Sequence, residues 1–468
     1  MTQTTLSFDS LPLAPAALAN LQQLGYLQMT PIQAASLPLA LAGNDLIAQA
    51  KTGSCKTAAF ALPLLHKLRI EQITVQALVL CPTRELADQV TLELRRLARH
   101  EANTRILTLV GGIPLRPQLA SLEHGAHIVV GTPGRVIDHL ERGSLALDAV
   151  TTLVLDEADR MLDMGFADEI AAIAKKLPKD RQTLLFSATY PEGIAKISQQ
   201  FMRDPKRVTV QAQHEAGKIR QRFYEVKEAE RLHAVSLLLD HFRPASTLAF
   251  CNTRQQCRDL VDVLRGQGYS ALALHGDLEQ RDRDQVLIQF ANRSCSVLVA
   301  TDVAARGLDI AQLEAVINVD TTPDPEVHIH RIGRTGRVDA EGWALSLASL
   351  DEMGSIGKIE QLQGVESDWH KLAELTPAPG GKLAAPMVTL QIAGGRKEKI
   401  RPGDVLGALT GEAGFAATQI GKIVVNEFST YVAVDRQIGR EALARLTAGK
   451  VKGKRVKVRF LEDEASNA

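Results

Sequence analysis

Residues suited to phosphate chemistry recur along this chain. Ala50-Lys51-Thr52-Gly53-Ser54-Cys55-Lys56-Thr57 lies between an apolar run at 45–48 and a helical pattern at 58–68. In a loop of this kind backbone N–H groups cradle phosphates, a lysine reaches the β- and γ-phosphates, and a hydroxyl binds Mg2+. Lys51, Thr52, Gly53, Ser54 and Cys55 would form the cradle, with Lys56 and Thr57 in the other two roles. About 100 residues further on, Asp156 and Glu157 follow the apolar run 151–155. A carboxylate there is able to hold the Mg2+ of a bound nucleotide, and its neighbour to activate water. An acidic helix N-terminus favoured by the helix dipole is the plainer account of the pair; the loop upstream tips the balance toward chemistry. His330-Arg331-Ile332-Gly333-Arg334-Thr335-Gly336-Arg337 sets three arginines close together. An arginine finger on a transferring phosphoryl group is worth about 10³–10⁵ in rate, although spacing alone does not separate fingers from a solvated loop.

The phosphate loop carries one flaw. The pattern G-x-x-x-x-G-K-[ST] calls for glycine before the lysine, and Cys55 stands there. That glycine takes a left-handed conformation that turns its N–H toward phosphate, and a side chain there costs roughly 1–2 kcal/mol. ATP turnover is expected to survive, because the other motifs are intact. A helix N-terminus lowers a thiol's pKa, so oxidation of Cys55 is expected to switch turnover off.

These groups need elements to hold them. Continuous apolar runs occur at 76–82, 105–112, 127–133, 151–159 and 182–189, and again at 246–253, 269–276, 296–302, 315–320 and 344–349. Each ends in Gly, Pro, Ser, Thr or Asp. Continuous apolarity fits strands covered on both faces, as in parallel α/β sheets. Ligands of such sheets sit beyond the carboxyl ends of the strands, where the polar tails fall. Two parallel α/β domains joined near 206–218 are expected. A Pro/Gly-rich stretch at 376–386 reads as a linker. Beyond it, alternating and helical patterns run in the order β-α-β-β-α-β, that of an RRM-like fold.

Bulk properties agree. The 468 residues suggest about three domains. No run of about 18 apolar residues marks a membrane span, and the N-terminus lacks a basic region before an apolar stretch, which points to the cytosol. The five cysteines form no CxxC pair, so neither a disulfide framework nor a zinc site is expected; most should be buried small apolar residues. Net charge is zero, yet residues 386–468 hold 14 Lys and Arg against 9 Asp and Glu, while the remainder holds 40 against 45. A basic tail on an acidic body suggests nucleic acid, or simply a solvated surface.

Taken together, the motifs over residues 8–350 resemble the DEAD-box helicases of superfamily two. Phe8, Gly25-Tyr26 and Thr30-Pro31-Ile32-Gln33 look like the Q motif, which implies that Tyr26 packs on adenine and Gln33 reads its edge. Asp156-Glu157-Ala158-Asp159 is the motif that names the family. Ser187-Ala188-Thr189 resembles the element coupling nucleotide state to unwinding. Pro82, Thr83, Arg84, Gly111, Gly112, Thr132, Pro133, Gly134 and Arg135 look like RNA-backbone contacts of the first domain. Phe250 through Thr253, Gln280, Arg283, Thr301 and Asp302 look like those of the second. Gly307 and Asp309 resemble the ribose-side nucleotide contact, Arg334 and Arg337 the arginine fingers, and His330 the γ-phosphate sensor. The fold implied is two RecA-like parallel α/β domains, 1–207 and 219–372, plus a C-terminal RRM-like α+β domain, 386–462. The implied activity is ATP- and Mg2+-dependent unwinding of short RNA duplexes by a two-domain clamp. An RNA-binding clamp with ATP turnover impaired by Cys55, or a DNA translocase of the same superfamily, would be the alternatives.

In the tail, KRVKVRF (454–460) alternates strictly. Lys454 stands apart; Arg455, Lys457 and Arg459 share one face, and Val456, Val458 and Phe460 the other. Tyr431 is the one aromatic in its strand, suited to packing or to base stacking. RPGDVLGALTGEAG and IGKI resemble the tail of the DbpA-type helicases. That implies a core tethered through a flexible linker to a 23S ribosomal RNA hairpin on pre-50S particles; a monomer with no membrane partner is assumed.

Overall fold

The structure is a computed structural model describing residues 6–50, 56–190, 192–210, 219–305, 313–336, 341–380, 382 and 384–461. The chain divides into two compact units near residue 214. The first contains strands β1 (Leu46–Gln49), β2 (Ala77–Leu80), β3 (Ile106–Leu109), β4 (Ile128–Gly131), β5 (Thr152–Leu155), β6 (Gln182–Ser187) and β7 (Lys206–Thr209). They form one sheet in the order β3-β4-β2-β5-β6-β1-β7, and every pair is parallel. Strands β2, β4, β5 and β6 are buried at every position. Successive side chains point to opposite faces. Ala77, Val79, Val154, Leu184 and Phe186 therefore enter one core, and Leu78, Leu80, Leu153, Leu155 and Leu185 the other. Covered faces on both sides account for the unbroken apolar runs.

The second unit repeats the plan with β8 (Ile219–Glu225), β9 (Thr247–Cys251), β10 (Ala271–Leu274), β11 (Val297–Thr301), β12 (Ala315–Asn318), β13 (Gly342–Ala348) and β14 (Trp369–His370). Their order is β10-β11-β9-β12-β13-β8-β14, also parallel. Strands β7, β8 and β14 were not legible as apolar runs. Strand β8 reads IRQRFYE, and Arg220 and Arg222 lie over the Trp343 ring at 5.5 and 5.0 Å. Stacked guanidinium planes let a charged sequence line a partly open edge.

The same unit carries a four-stranded antiparallel sheet of β15 (Met387–Ile392), β16 (Ile420–Val425), β17 (Thr430–Asp435) and β18 (Val458–Phe460), ordered β16-β17-β15-β18. With helices Pro402–Gly407 and Gly439–Ala448, the element order is the expected β-α-β-β-α-β. The last strand is shorter than KRVKVRF suggested, because Lys454 bridges back to Val451. Exposure still alternates: Arg455, Lys457 and Arg459 are exposed, while Val456, Val458 and Phe460 pack on the core.

The stretch 376–386 departs from the expected flexible linker. The Ala378 N–H donates to the Asp240 carbonyl (3.0 Å), His241 Nδ1 lies 2.9 Å from the Thr376 carbonyl, and Arg243 donates to the Pro379 carbonyl. Lys382 donates to the Gln267 carbonyl and lies 4.9 Å over the Tyr269 ring. Backbone groups of Thr376, Ala378 and Pro379 thus find partners on the second domain despite the Pro/Gly-rich composition. The module itself is docked. Met387 N–H donates to the Arg293 carbonyl (3.3 Å), and Thr389 Oγ1 receives Asn292 Nδ2 (3.1 Å) and meets Ser294 Oγ (2.6 Å), all three side chains being buried. Thr389→Val would leave buried polar atoms of Asn292 and Ser294 without that partner, a loss of about 1–3 kcal/mol. Limited proteolysis within 376–386 should become faster in Thr389→Val; an unchanged cleavage rate would show that this contact does not hold the module.

Candidate functional site

In the first unit the nucleotide-type residues gather at the carboxyl ends of β1, β5 and β6. Lys56 opens the helix Lys56–Lys67. It is 7% exposed, and its Nζ has no hydrogen-bond partner among the described residues. Burial pushes its pKa down, while Asp156, Glu157 and Asp159 pull it back up. An unpartnered ammonium this deep is suited to an anionic ligand. Thr57 follows it, half-buried. Asp156 is buried, and desolvation with the charge of Glu157 pushes its carboxyl up to about 7. Glu157 sits in the left-handed region (φ 51°, ψ 53°) at the N-cap of Ala158–Asp163, its carboxylate paired with Arg160. For a glutamate that conformation is strained by roughly 1–3 kcal/mol.

Asp159, the last residue of the acidic motif, carries no role of its own in the sequence pattern, yet it joins two motifs. Its Oδ2 accepts from the Ala188 N–H (3.1 Å), the Thr189 N–H (2.9 Å) and Thr189 Oγ1 (3.0 Å), while its own N–H donates to Ser187 Oγ (3.3 Å). Burial raises its pKa, but the Thr189 hydrogen bonds and Lys56 outweigh burial and hold it below the usual value. The acidic motif and Ser187-Ala188-Thr189 are thus one hydrogen-bonded body. The repeat of carboxylates in DEAD was the available signal.

On the same unit Phe8 is buried and meets Tyr26 edge-on at 6.0 Å. Tyr26 donates to Glu93, and Gln33 Oε1 accepts from the Thr30 N–H at 2.8 Å. Lys51, Thr52, Gly53, Ser54, Cys55, Gly307, Asp309 and Arg337 lie outside the described residues.

A second cluster forms where β2, β3 and β4 end. Pro82 precedes Thr83, which caps the helix Arg84–Leu97 by accepting from the Leu86 N–H. Gly112 has φ +67°, and a Cβ there would fall 1.6 Å from Arg84 Nη1, so only glycine leaves room for that guanidinium beside Gly111. Thr132 and Pro133 start the helix Pro133–Glu141, where Gly134 has open space around it. Arg135 Nη2 donates to the Ile113 carbonyl (3.2 Å), whereas its Nη1 is buried with no partner among the described residues. Three strand ends thus converge two arginines and three glycines, a setting for phosphate contacts.

In the second unit Thr253 caps Arg254–Gly266 by accepting from Gln256 N–H at 3.1 Å. Gln280 donates to Asp284 (2.8 Å), and Arg283 donates to the Ala304 carbonyl (2.7 Å). Thr301 ends β11 and is buried. Asp302 is gripped by Arg331 through two bonds, from Nε at 2.7 Å and Nη2 at 2.6 Å. Arg331 also donates to the Asp320 carbonyl (2.7 Å) and Asn252 Oδ1 (3.3 Å), and lies 5.1 Å over the Phe250 ring. It is a positioning residue joining three motifs, a role that arginine spacing does not separate from that of the neighbouring arginines. His330 is half-buried and Arg334 is 8% exposed.

Family models match in the same order as these clusters. DEAD/DEAH box helicase covers residues 30–197, helicase conserved C-terminal domain 229–339, and DbpA RNA binding domain 389–460. The ATP-dependent RNA helicase DbpA of Escherichia coli (strain K12) is 52% identical over 453 residues, spanning 96% of this chain and 98% of that protein. This chain belongs to the DEAD-box ATP-dependent RNA helicases, DbpA subfamily. The helicase also resembles the ATP-dependent RNA helicase CshA of Listeria monocytogenes, 45% identical over 76% of this chain and 68% of that one. Among solved structures, S. cerevisiae Dbp5 bound to RNA and ADP BeF3 superposes with TM-score 0.70 and 30% identity over 78% of this chain and 96% of that one. Helicase chemistry with ATP follows from this membership, and the alternative of a DNA translocase falls away.

No helix among the described residues is long and apolar enough to cross a membrane. The four described cysteines are free and buried, as expected of small apolar residues. No group of three or more His, Cys, Asp or Glu side chains forms a metal cluster among the described residues. The pair Asp156 and Thr57 instead suits a cation that keeps most of its ligands as water and phosphate.

Two outcomes follow. Asp156 titrates near 3.8 when unfolded and near 7 when folded. Between those values the folded state keeps a proton that the unfolded state has lost, so its contribution to stability falls as pH rises through that window. Asp156→Asn should therefore raise the urea midpoint of the nucleotide-free helicase more at pH 8 than at pH 5; an equal change at both would dismiss the shifted carboxyl. Arg331→Ala should cost about 3 kcal/mol by removing a buried guanidinium and leaving the partly buried Asp302 and the Asp320 carbonyl without it, read as a lower midpoint in the same titration.

Proposed function

We propose that this helicase separates short duplexes in 23S ribosomal RNA during assembly of the large ribosomal subunit, with its C-terminal module supplying the address. The observation that carries the reading is that module: it matches a DbpA RNA binding domain over 389–460, and Arg455, Lys457 and Arg459 stand exposed along the segment leading into and through its last strand. Lys454 extends the charge. Domains 1–207, 219–372 and 386–462 would work as a monomer in the cytoplasm, on RNA hairpins of pre-50S particles.

In this reading Phe8, Tyr26 and Gln33 select adenine, and Lys51, Thr52, Gly53, Ser54 and Cys55 cradle the phosphates. Lys56 meets the β- and γ-phosphates, for which its buried ammonium is suited. Thr57 and Asp156 hold Mg2+, whose charge would favour the ionised Asp156 carboxyl. The cation, when bound, neutralises phosphate charge. Glu157 orients and deprotonates the attacking water. His330, Arg334 and Arg337 respond to the γ-phosphate, with Gly307 and Asp309 on the ribose side. Pro82, Thr83, Arg84, Gly111, Gly112, Thr132, Pro133, Gly134 and Arg135 contact RNA backbone from the first domain, and Thr253, Gln280, Arg283, Thr301 and Asp302 from the second. Contacts to sugar and phosphate make such a core nearly blind to sequence, and the 2′-hydroxyl distinguishes RNA from DNA. ATP and RNA together close the clamp, and hydrolysis reopens it. Specificity then comes from the attached module, which raises the local concentration of one RNA.

Steady-state ATP turnover is the test. Wild type should be stimulated most by 23S ribosomal RNA, less by unrelated RNA and least by DNA; equal stimulation by both RNAs would sink the ribosomal assignment. Cys55→Gly should change turnover by less than about thirtyfold, since its strain is about 1–2 kcal/mol. Turnover found only in Cys55→Gly would instead make the native protein a clamp. Glu157→Gln should lower turnover by about 10²–10⁴-fold while RNA binding persists.

A further inference from the structure

The C-terminal sheet has two ends with different fates. One is closed: Met387 and Thr389 of β15 are bonded to the second α/β domain at Arg293, Asn292 and Ser294. Thr389 shares its sheet face with Gln391, opposite the buried Leu390 and Ile392. That outer face holds no exposed aromatic. Tyr431 is 5% exposed, and its hydroxyl receives Gln391 Nε2 at 3.3 Å. Of the two roles the sequence allowed it, packing is the one it fills. A base-stacking surface on this face is therefore absent.

The other end of β15 is built differently. Gly395 lies against the β16–β17 hairpin so closely that a Cβ would fall 2.3 Å from the Asn426 carbonyl oxygen. That approach lets Arg396 N–H donate to the Asn426 carbonyl (2.8 Å) and Lys397 N–H to the Glu427 carbonyl (3.0 Å). The two loops thus form one tip. At its apex Phe428 is 65% exposed, the one exposed aromatic among the described residues 387–461. Lys397 Nζ sits 5.2 Å from its ring centroid and pairs with Glu427 Oε1 at 3.2 Å. Lys452 donates to the Lys399 carbonyl and pairs with Asp404 (3.7 Å), and the Lys457 carbonyl accepts from Ala393 N–H (2.9 Å) just beyond the same end of β15. Arg396, Lys397, Lys399, Lys452 and Lys457 are all exposed.

We infer that Phe428 is a nucleobase-stacking residue, taking an unpaired base of RNA on the ring face opposite Lys397 while the surrounding lysines and arginines meet the flanking phosphates. This rests on reading the module as the RNA-addressing part of the chain. Single-stranded bases in loops and bulges are bound by stacking on aromatic rings and by phosphate charge together. An ordinary exposed phenylalanine has no reason to stand in a basic surround, and the usual sheet face offers no ring. The arrangement places the base at the end of the module farthest along β15 from the docked contact.

The test is equilibrium binding of the full chain without nucleotide to 23S ribosomal RNA and to an unrelated transcript of equal length, over a range of salt. Phe428→Ala should bind about 5- to 100-fold more weakly with an unchanged salt slope, Phe428→Tyr should bind like wild type, and Lys397→Ala should reduce the slope by about 0.7–0.9. In Phe428→Trp, emission of the new indole should be quenched on binding. Affinity of Phe428→Ala within twofold of wild type on both RNAs, or an unquenched indole in the bound state, overturns the inference. Equal wild-type affinity for the two RNAs would instead remove the ribosomal address, and the Phe428 comparison would still decide the stack on either RNA.

Discussion

Parallel pairing of strands is the constraint on which this molecule depends. Parallel neighbours cannot be joined by tight turns; each connection crosses a face of the sheet, usually as a helix. All strands of a sheet then end at the same edge, and every helix starts there with its N–H groups unsatisfied. In the first unit this edge gathers Lys56, Asp156 and Ser187-Ala188-Thr189 from three strands. Residues more than 100 positions apart become neighbours because of hydrogen bonding that involves none of their side chains.

Charge burial turns that edge into a site. Lys56 and Asp156 are both withdrawn from water, and each has its pKa moved toward the neutral form by desolvation. The Lys56 ammonium has no hydrogen-bond partner among the described residues. Asp159 shows the opposite outcome in the same place, because three donors from Ala188 and Thr189 stabilise its charge. One carboxylate is thereby a structural tie and the other is left poised for a ligand. The second unit repeats the contrast, with Arg331 locked by Asp302, Asp320 and Asn252 so that the strand ends around it keep one arrangement.

The attached module obeys different rules. Its antiparallel sheet leaves one face free of helices, and part of that face is closed by Asn292, Arg293 and Ser294. Those contacts fasten the start of β15 to the second α/β domain. The exposed aromatic among the described residues of the module, Phe428, stands instead at the hairpin tip with Lys397 against its ring.

Much of this was legible in the amino-acid sequence. Ten apolar runs marked strands because side chains covered on both faces must be apolar, and motifs at their ends marked the site because polar residues there have no structural need to be acidic or basic. The phosphate-loop residues, the acidic pair and the arginine series could all be named from residue type and order. Other features needed three dimensions. Strand β8 hides its apolar content behind arginines stacked on Trp343. The ties made by Asp159 and Arg331 depend on donors distant in the chain. Whether Tyr431 packs or stacks is decided by Gln391 on the neighbouring strand, and whether 376–386 docks by partners on the second α/β domain. Sequence determines which groups are available and the period at which they recur. Only tertiary contact decides which of those groups are satisfied by the protein itself and which remain open to nucleotide and RNA.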